Sequence, residues 1–248
     1  MNEVKKYVVE LLGWNEEAVR SLSGDRKKWI IVLIGPPGSG KGTQADLLAE
    51  KFGLVHFETS KVLDEKLNNA DPNDEILMRE KKIRASGELN SPELVVEWAL
   101  EKIRELAKKG LGLVFSGSPR TIYEAEHEMP ALEELYGKGN IKVIHLNLTK
   151  EESVKRNSSR RICKASRHSI PDFPMFKDIK TCPKDGSELI TQNFDTPETI
   201  SVRYEVYLRR TQPILSFLQE RGHNVMEVEG EQDIDKVFED ILAEISKS

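Results

Sequence analysis

The stretch LIGPPGSGKGTQADLLAEKFG, residues 33–53, decides the fold of this chain. An apolar run at residues 29–34 overlaps its beginning and predicts a buried strand, and residues 41–52 predict a helix that ends at Gly53. The turn between strand and helix is rich in glycine. Because glycines let consecutive backbone N–H groups face one point, and the helix N-terminus adds partial positive charge there, the stretch predicts a phosphate-binding loop.

The loop carries the pattern G-x-x-x-x-G-K, but Gly42 separates the lysine from Thr43, whereas the strict pattern has Ser or Thr directly after the lysine. We expect Lys41 to reach the β- and γ-phosphates of a nucleotide and the hydroxyl of Thr43 to lie near Mg²⁺. The candidate nucleotide-binding residues of the loop are Gly35, Pro36, Pro37, Gly38, Ser39, Gly40, Lys41, Gly42 and Thr43.

Strand and helix patterns alternate along the rest of the chain. This alternation predicts an α/β fold, a three-layer core in which helices cover both faces of a five-stranded parallel sheet. The further predicted strands are residues 54–57, 113–115, 143–148 and 225–228, and the further predicted helices are residues 93–109, 197–221 and 233–246.

Composition and charge exclude several classes of protein. The 248 residues include 37 basic and 42 acidic side chains, a net charge of −5, which argues against general nucleic-acid binding. The longest apolar run has about six residues, too few for a membrane span. The N-terminal residues mix charges into their apolar positions, unlike a secretory signal, so we expect a cytoplasmic protein, with a monomer as the default state.

The loop and its continuation, GPPGSGKGTQ, resemble the phosphate loop of adenylate kinases and related nucleoside monophosphate kinases. Further segments resemble motifs of this family in the family's order, and the resemblance covers about residues 29–245. These segments are residues 85–95, 116–121, 156–163, 196–207 and 211–214.

The resemblance also implies a division of the chain. It predicts a kinase domain at residues 29–248, with a helical acceptor-binding insertion at about 59–90 and a lid at about 160–195. Residues 1–28 precede this domain and predict a short amphipathic helix. That helix either packs on the core or offers a contact surface.

Members of the family move the γ-phosphoryl group of ATP to a nucleoside monophosphate with Mg²⁺ and no covalent intermediate, so catalysis rests on positioning and charge neutralisation. The resemblance implies that Arg156 borders the base of ATP and that Arg120 holds the acceptor phosphate. It further implies catalytic roles for Lys41, Arg120, Arg160 and Arg203, and an acceptor site that includes Thr59, Asn90, Arg120 and Glu124.

The chain departs from the family on the acceptor side. Asp64 aligns with an arginine that holds the monophosphate, and a carboxylate there repels the acceptor unless another cation compensates. The candidate compensating cations are Lys61, Arg79 and Arg84. Ser116 stands where the family has an aspartate near the metal.

Glu124 aligns with the glutamine that recognises adenine. A carboxylate only accepts hydrogen bonds, so an ionised Glu124 suits the N1–H and amino group of guanine, or the amino group of cytosine, better than adenine. The alternative is that Glu124 faces solvent. Three interpretations stay open: a nucleoside monophosphate kinase with altered acceptor preference, which we favour, an adenylate kinase with local compensation, and a nucleotide-binding sensor with little kinase activity.

The lid contains Cys163-x-x-Ser166 and Cys182-x-x-Asp185, which resemble the framework on which relatives bind zinc. A tetrahedral zinc site needs four donors and Ser166 is a poor ligand, so Cys163, Cys182 and Asp185 need a fourth, for which His168 is the candidate. The alternative is a metal-free lid held by hydrogen bonds and packing.

Overall fold

The computed structural model describes residues 28–86, 90–165, 169–170, 172, 176–183, 185–191 and 195–247. The helix predicted for residues 1–28 lies outside them except for Lys28, and so do Ser166 and His168. The strands are β1 (Ile30–Ile34), β2 (Val55–Phe57), β3 (Leu113–Phe115), β4 (Ile141–Asn147), β5 (Arg161–Cys163), β6 (Ser169–Ile170), β7 (Leu189–Ile190) and β8 (Val225–Glu229).

The helices of the described residues alternate with these strands. They are α1 (Lys41–Phe52), α2 (Thr59–Asn68), α3 (Glu75–Ser86), α4 (Pro92–Lys108), α5 (Ile122–Tyr136), α6 (Lys150–Ser159), α7 (Pro197–Val206), α8 (Pro213–Glu220) and α9 (Ile234–Ser246). None of them combines the length and the apolar character that crossing a bilayer requires.

Five parallel strands form the main sheet in the order β2–β3–β1–β4–β8, which confirms the predicted α/β fold. In the central strand β1, Ile31 pairs with Val114 on one side and with Lys142 on the other. All five residues of β1 are buried, because helices cover both faces of the sheet. This double burial explains the continuous apolar run in the sequence.

Successive side chains of β1 enter two different apolar cores. Ile30, Val32 and Ile34 pack into a core with residues of α4, α5 and α8. Ile31 and Leu33 pack into a second core with residues of α1 and α9. The alternation follows from the strand geometry, in which neighbouring side chains point to opposite faces. The central strand and the loop that follows it are thereby fixed from both sides.

The single helix predicted for residues 197–221 is wrong in part. The structure has α7, then a π-helical turn at Tyr207–Thr211, then α8 beginning at Pro213. Proline has no N–H to donate to the preceding turn, and in the turn before it the N–H of Gln212 donates to the carbonyl of Tyr207 at 2.9 Å.

The predicted acceptor-binding insertion and the predicted lid contain different structures. The described part of residues 59–90 contains α2 and α3. The described part of residues 161–195 contains a small antiparallel sheet in the order β6–β5–β7, for which the composition gave no sign. Its strands have only two or three residues each, too few to show an alternating pattern.

Candidate functional site

A cleft of about 500 Å³ opens at the carboxyl edge of the main sheet. Parallel strands all end at this edge, so the phosphate loop follows β1, Glu58 follows β2 and Ser116 follows β3 at neighbouring positions. The lining includes residues 37–44 and five arginines, Arg84, Arg120, Arg156, Arg160 and Arg203. The structure thus brings the predicted cations of the sequence to one place.

The phosphate loop is supported by helix α6. Gly38 has a φ of +79°, and a Cβ there would lie 2.5 Å from Nδ2 of Asn157, so the position requires glycine. The hydroxyl of Ser153 donates to the carbonyl of Pro37 at 2.7 Å. Sequence reasoning missed both Ser153 and Asn157. Both residues lie on α6, four positions apart and so on one face of the helix, and this face packs against the phosphate loop.

Lys41 is folded onto its own loop. Its Nζ donates to the carbonyls of Gly35 at 2.7 Å and Pro36 at 2.8 Å. Burial, together with the positive charges of Arg120 and Arg203, lowers the pKa of Lys41 to about 7. Because two arginine charges act on this amine, an anion bound there stabilises its charged form.

Arg160 and Arg203 share the carboxylate of Asp195. Arg160 donates from Nε at 2.7 Å and from one terminal nitrogen at 3.1 Å, and Arg203 donates at 3.2 Å. The side chain of Asp195 is only 4% exposed. Burial and the charge of Arg160 lower the pKa of Arg203, while Asp195 opposes the shift. Sequence reasoning did not assign Asp195 this role.

Arg156 and Arg120 reach the cleft from other directions. Arg156 lies on α6 and donates from Nε to Glu152 at 2.9 Å. Arg120 follows β3, and its Nε donates to the carbonyl of Gly117 at 2.6 Å. The carbonyl of Arg120 accepts from the hydroxyl of Thr211 at 2.8 Å.

Three buried polar atoms near the cleft have no hydrogen-bond partner among the described residues. They are Oε1 of Gln44, Oγ1 of Thr59 and Oδ1 of Asn157. A buried acceptor or donor without a partner costs free energy, so such atoms mark places where a polar ligand fits. Gln44 and Asn157 line the cleft directly, and Thr59 lies between two residues that do.

Of the three cations predicted to compensate for Asp64, Arg84 is the one that contacts it. Arg84 donates from Nε to Asp64 at 2.5 Å and from a terminal nitrogen to the carbonyl of Ser60 at 3.1 Å, and it lines the cleft. Arg79 instead pairs with Glu80 and is 65% exposed. Lys61 also lines the cleft, paired with Glu58.

Besides Thr59, two further predicted acceptor residues, Glu124 and Asn90, lie outside the cleft lining. Glu124 accepts from the N–H of Arg120 at 2.8 Å and from the hydroxyl of Thr121 at 3.2 Å, at the first turn of α5. Asn90 is buried and donates to the carbonyl of Glu80 at 2.9 Å and to its carboxylate at 3.0 Å. In this conformation both side chains serve local structure, and their contact with an acceptor stays a prediction.

A buried acid lies behind this turn. Glu128 is 0% exposed, and its carboxyl group accepts from the hydroxyl of Ser118 at 2.6 Å. Burial raises the pKa of Glu128 to about 8, the bond from Ser118 opposes the shift, and the charge of Glu124 adds to it. Glu128 is therefore largely protonated at neutral pH.

In the segment predicted to be the lid, Cys163, Cys182 and Asp185 come together. One ligand atom from each lies within 4.8 Å of the others. Sγ of Cys163 lies 3.0 Å from a carboxylate oxygen of Asp185 and 2.8 Å from the hydroxyl of Ser187. The donor set of two thiols and a carboxylate fits zinc, with Ser187 as a weak additional oxygen.

The family model for adenylate kinase matches residues 33–223. The adenylate kinase of Lysinibacillus sphaericus is 36% identical over 223 residues, covering 88% of this chain and 98% of the relative. That of Methanothrix thermoacetophila is 34% identical over 217 residues, covering 88% and 98%. That of Bacillus subtilis is 34% identical over 215 residues, covering 85% and 95%. This chain, with its phosphate loop and its ring of cleft arginines, therefore belongs to the adenylate kinase family, the nucleoside monophosphate kinases that use ATP and Mg²⁺.

Proposed function

We propose that this kinase transfers the γ-phosphoryl group of ATP to a nucleoside monophosphate with a preference altered from AMP. Transfer to a nucleoside monophosphate is supported by one contact: Arg84 on α3 reaches Asp64 on α2, at 2.5 Å between Nε and Oδ1. A guanidinium thus lies beside Asp64, which replaces the family's arginine, but it comes from another helix. The altered preference itself is carried by Glu124, which replaces the glutamine that recognises adenine in the family.

Glu124 supports the change of base. Its carboxylate accepts from the N–H of Arg120, from the hydroxyl of Thr121 and, at 3.4 Å, from the hydroxyl of Ser118. An ionised carboxylate has about four acceptor positions, so it retains capacity for an N–H group of a base. It has no donor for N1 of adenine, whereas guanine and cytosine offer N–H donors to it.

At the other end of the cleft, we assign the phosphates of ATP to the loop and the arginines. Lys41 exchanges its loop carbonyls for β- and γ-phosphate oxygens, and Arg160 and Arg203 neutralise the transferring group from the lid side. Arg156, half-buried on α6, borders the base of ATP. Because little bond chemistry falls to side chains, their role is to orient the phosphates and to exclude water.

Thr43 is the protein ligand that we assign to Mg²⁺. Its hydroxyl is a hard oxygen donor and the residue lines the cleft beside Lys41. Mg²⁺ usually keeps few protein ligands and takes the rest from phosphates and water, which fits this donor set. When bound, the ion supplies charge neutralisation at the phosphate oxygens.

We assign zinc to the lid cluster. Cys163, Cys182 and Asp185 converge without a fourth strong protein donor among the described residues, so we expect weaker binding than at a four-cysteine site. A bound ion would fix β5 to the turn that carries Asp185.

The test is the formation of ADP from Mg-ATP with AMP, GMP, CMP, UMP and dTMP by the purified protein. Lys41→Ala controls for contaminating kinases. Glu124→Gln is expected to shift preference towards AMP, and Glu126→Gln, an exposed residue of the same helix, is its charge-matched control.

Higher kcat/KM for GMP or CMP than for AMP supports the proposal. A strong preference for AMP in the unchanged protein overturns it and makes this an adenylate kinase with local compensation. Tight ATP binding without turnover of any acceptor would favour the sensor interpretation instead.

A further inference from the structure

A hydrogen-bonded chain of three side chains runs to the wall of the cleft. Oδ1 of Asp46 lies 2.8 Å from Nδ1 of His56, and Nε2 of His56 lies 2.6 Å from Oγ of Ser116. The three residues come from α1, from β2 and from the end of β3. Their meeting therefore depends on the assembled sheet and not on local sequence.

The order carboxylate, imidazole, hydroxyl is the arrangement in which a histidine base activates a serine. When Asp46 accepts the Nδ1 proton, the Nε2 lone pair of His56 faces the hydroxyl proton of Ser116. The His56 side chain is only 14% exposed, so water competes little for these bonds.

Ser116 also has the position that a phosphoryl acceptor needs. It lines the same cleft as Lys41, Thr43 and Arg120. The loop residues hold the terminal phosphates of ATP in the function described above, and the cations lower the charge barrier to an incoming oxygen. A hydroxyl paired with an oriented base thus lines the cleft to which we assign the phosphoryl donor.

We propose that Ser116 is a phosphorylation site that the enzyme modifies itself, using ATP. The Ser116 oxygen bonds to the γ-phosphorus, the bond from that phosphorus to the β–γ bridging oxygen breaks, and ADP leaves. His56 Nε2 takes the hydroxyl proton, and Asp46 stabilises the protonated ring. The resulting phosphoserine carries about −1.5 to −2 charges and pairs with the cations that otherwise meet the acceptor phosphate.

The experiment incubates the full chain with Mg²⁺ and γ-labelled ATP without any acceptor and maps the label by tandem mass spectrometry. The expected result is one phosphoryl group on Ser116, acid-stable and alkali-labile as a phosphoserine is. Ser116→Ala should lose the label. Ser60→Ala should keep it, because Ser60 lines the same cleft without belonging to the chain of Asp46 and His56.

The role of His56 is tested separately by chemical rescue. His56→Ala should slow labelling by about 100-fold, the typical contribution of a general base, and added imidazole should restore part of the rate. Asp46→Asn should slow it as well, since the wrong tautomer then faces Ser116. A merely structural histidine would give no imidazole rescue.

Transfer to nucleoside monophosphates is measured on the same samples. Active transfer with an unlabelled Ser116 overturns this inference and leaves the proposed function standing. Label that persists in Ser116→Ala, or acid-labile label on His56, overturns it as well.

Discussion

Arg160 donates two hydrogen bonds to Asp195, at 2.7 and 3.1 Å, and Arg203 donates to the same carboxylate. This buried anion holds together two guanidinium groups that repel each other. Asp195→Asn is therefore expected to lower kcat/KM by about 10- to 100-fold through misplacement of both arginines. The free energy of unfolding should fall by about 1–3 kcal/mol. Steady-state kinetics and urea unfolding measure the two effects.

Asp178→Asn is the control for this prediction, since it removes the same charge from an exposed lid position. Equal losses in the two variants would mean that net charge, and not the shared carboxylate, matters.

The lowered pKa of Lys41 predicts proton uptake when ATP binds. At about pH 8 the Lys41 amine of the protein without nucleotide, with a pKa of about 7, is largely neutral. Binding of the ATP triphosphate favours its protonated form. ATP affinity should therefore fall as pH rises above about 7. Calorimetric titrations in buffers of different ionisation enthalpy measure the uptake. Lys41→Arg, whose guanidinium stays charged, should take up fewer protons, and unchanged uptake would contradict the prediction.

Glu128 predicts an unusual pH dependence of stability. Its pKa is about 8 when folded and near 4.5 ordinarily, so between these values the folded state binds more protons than the unfolded state. The contribution of the protonated Glu128 carboxyl group to the free energy of unfolding is fully present below about pH 4.5 and is lost as pH rises through 8. Above that, Glu128→Gln should be more stable than the unchanged protein by up to about 5 kcal/mol.

Urea unfolding at a series of pH values tests this, with Glu126→Gln on the exposed face of the same helix as control. Parallel stability profiles for the unchanged protein and Glu128→Gln would show that the buried carboxyl does not titrate in this range.

The contact of Arg84 with Asp64 predicts that replacing Arg84 weakens binding of the acceptor and not of ATP. Arg84→Ala leaves Asp64 without its partner, so KM for the nucleoside monophosphate should rise about 10-fold or more while KM for ATP changes little. Removing Asp64 as well should recover part of the loss. Arg79→Ala, on the same helix but paired with Glu80, is the control. A similar KM increase for ATP would place Arg84 outside the acceptor site.

The lid cluster predicts zinc in the purified protein. Elemental analysis should find up to one zinc per chain, and a chelator should lower Tm. Cys182→Ser should lose the metal, while Thr181→Ser next to it should not. If the purified protein contains no metal and the chelator does not change its Tm, the lid is instead held by the hydrogen bonds of Cys163 with Asp185 and Ser187.

Local patterns were enough to predict the core. The apolar run of β1, the glycine turn and the stripe of α9 each arise from one element packing on a sheet, so their periodicity shows in the sequence. The cleft arginines Arg120, Arg156, Arg160 and Arg203 were expected from the family resemblance, and all four line the cleft.

The contacts that set the site's electrostatics could not be predicted this way. Asp195 with Arg160, and Ser116 with His56, join residues 35 and 60 positions apart. The periodic pattern of apolar residues in a sequence does not indicate contacts between residues so far apart. For Glu124 a local signal did exist, because Thr121-x-x-Glu124 is a capping-box pattern, and at the start of α5 the N–H of Glu124 donates to the hydroxyl of Thr121 at 3.2 Å.

The hydrogen bond from Thr211 to the carbonyl of Arg120 has a mechanical consequence. α7 begins close after Asp195 and carries Arg203, and the π-helical turn that follows it ends at Thr211. This continuous segment therefore connects the proposed ATP site to the proposed acceptor site. We expect a movement of the N-terminal end of α7 towards ATP to shift the turn that carries Arg120 as well. By thermodynamic reciprocity, an acceptor seated on that turn favours lid closure equally. We therefore expect the two substrates to bind synergistically, each tightening the other's site through the main chain.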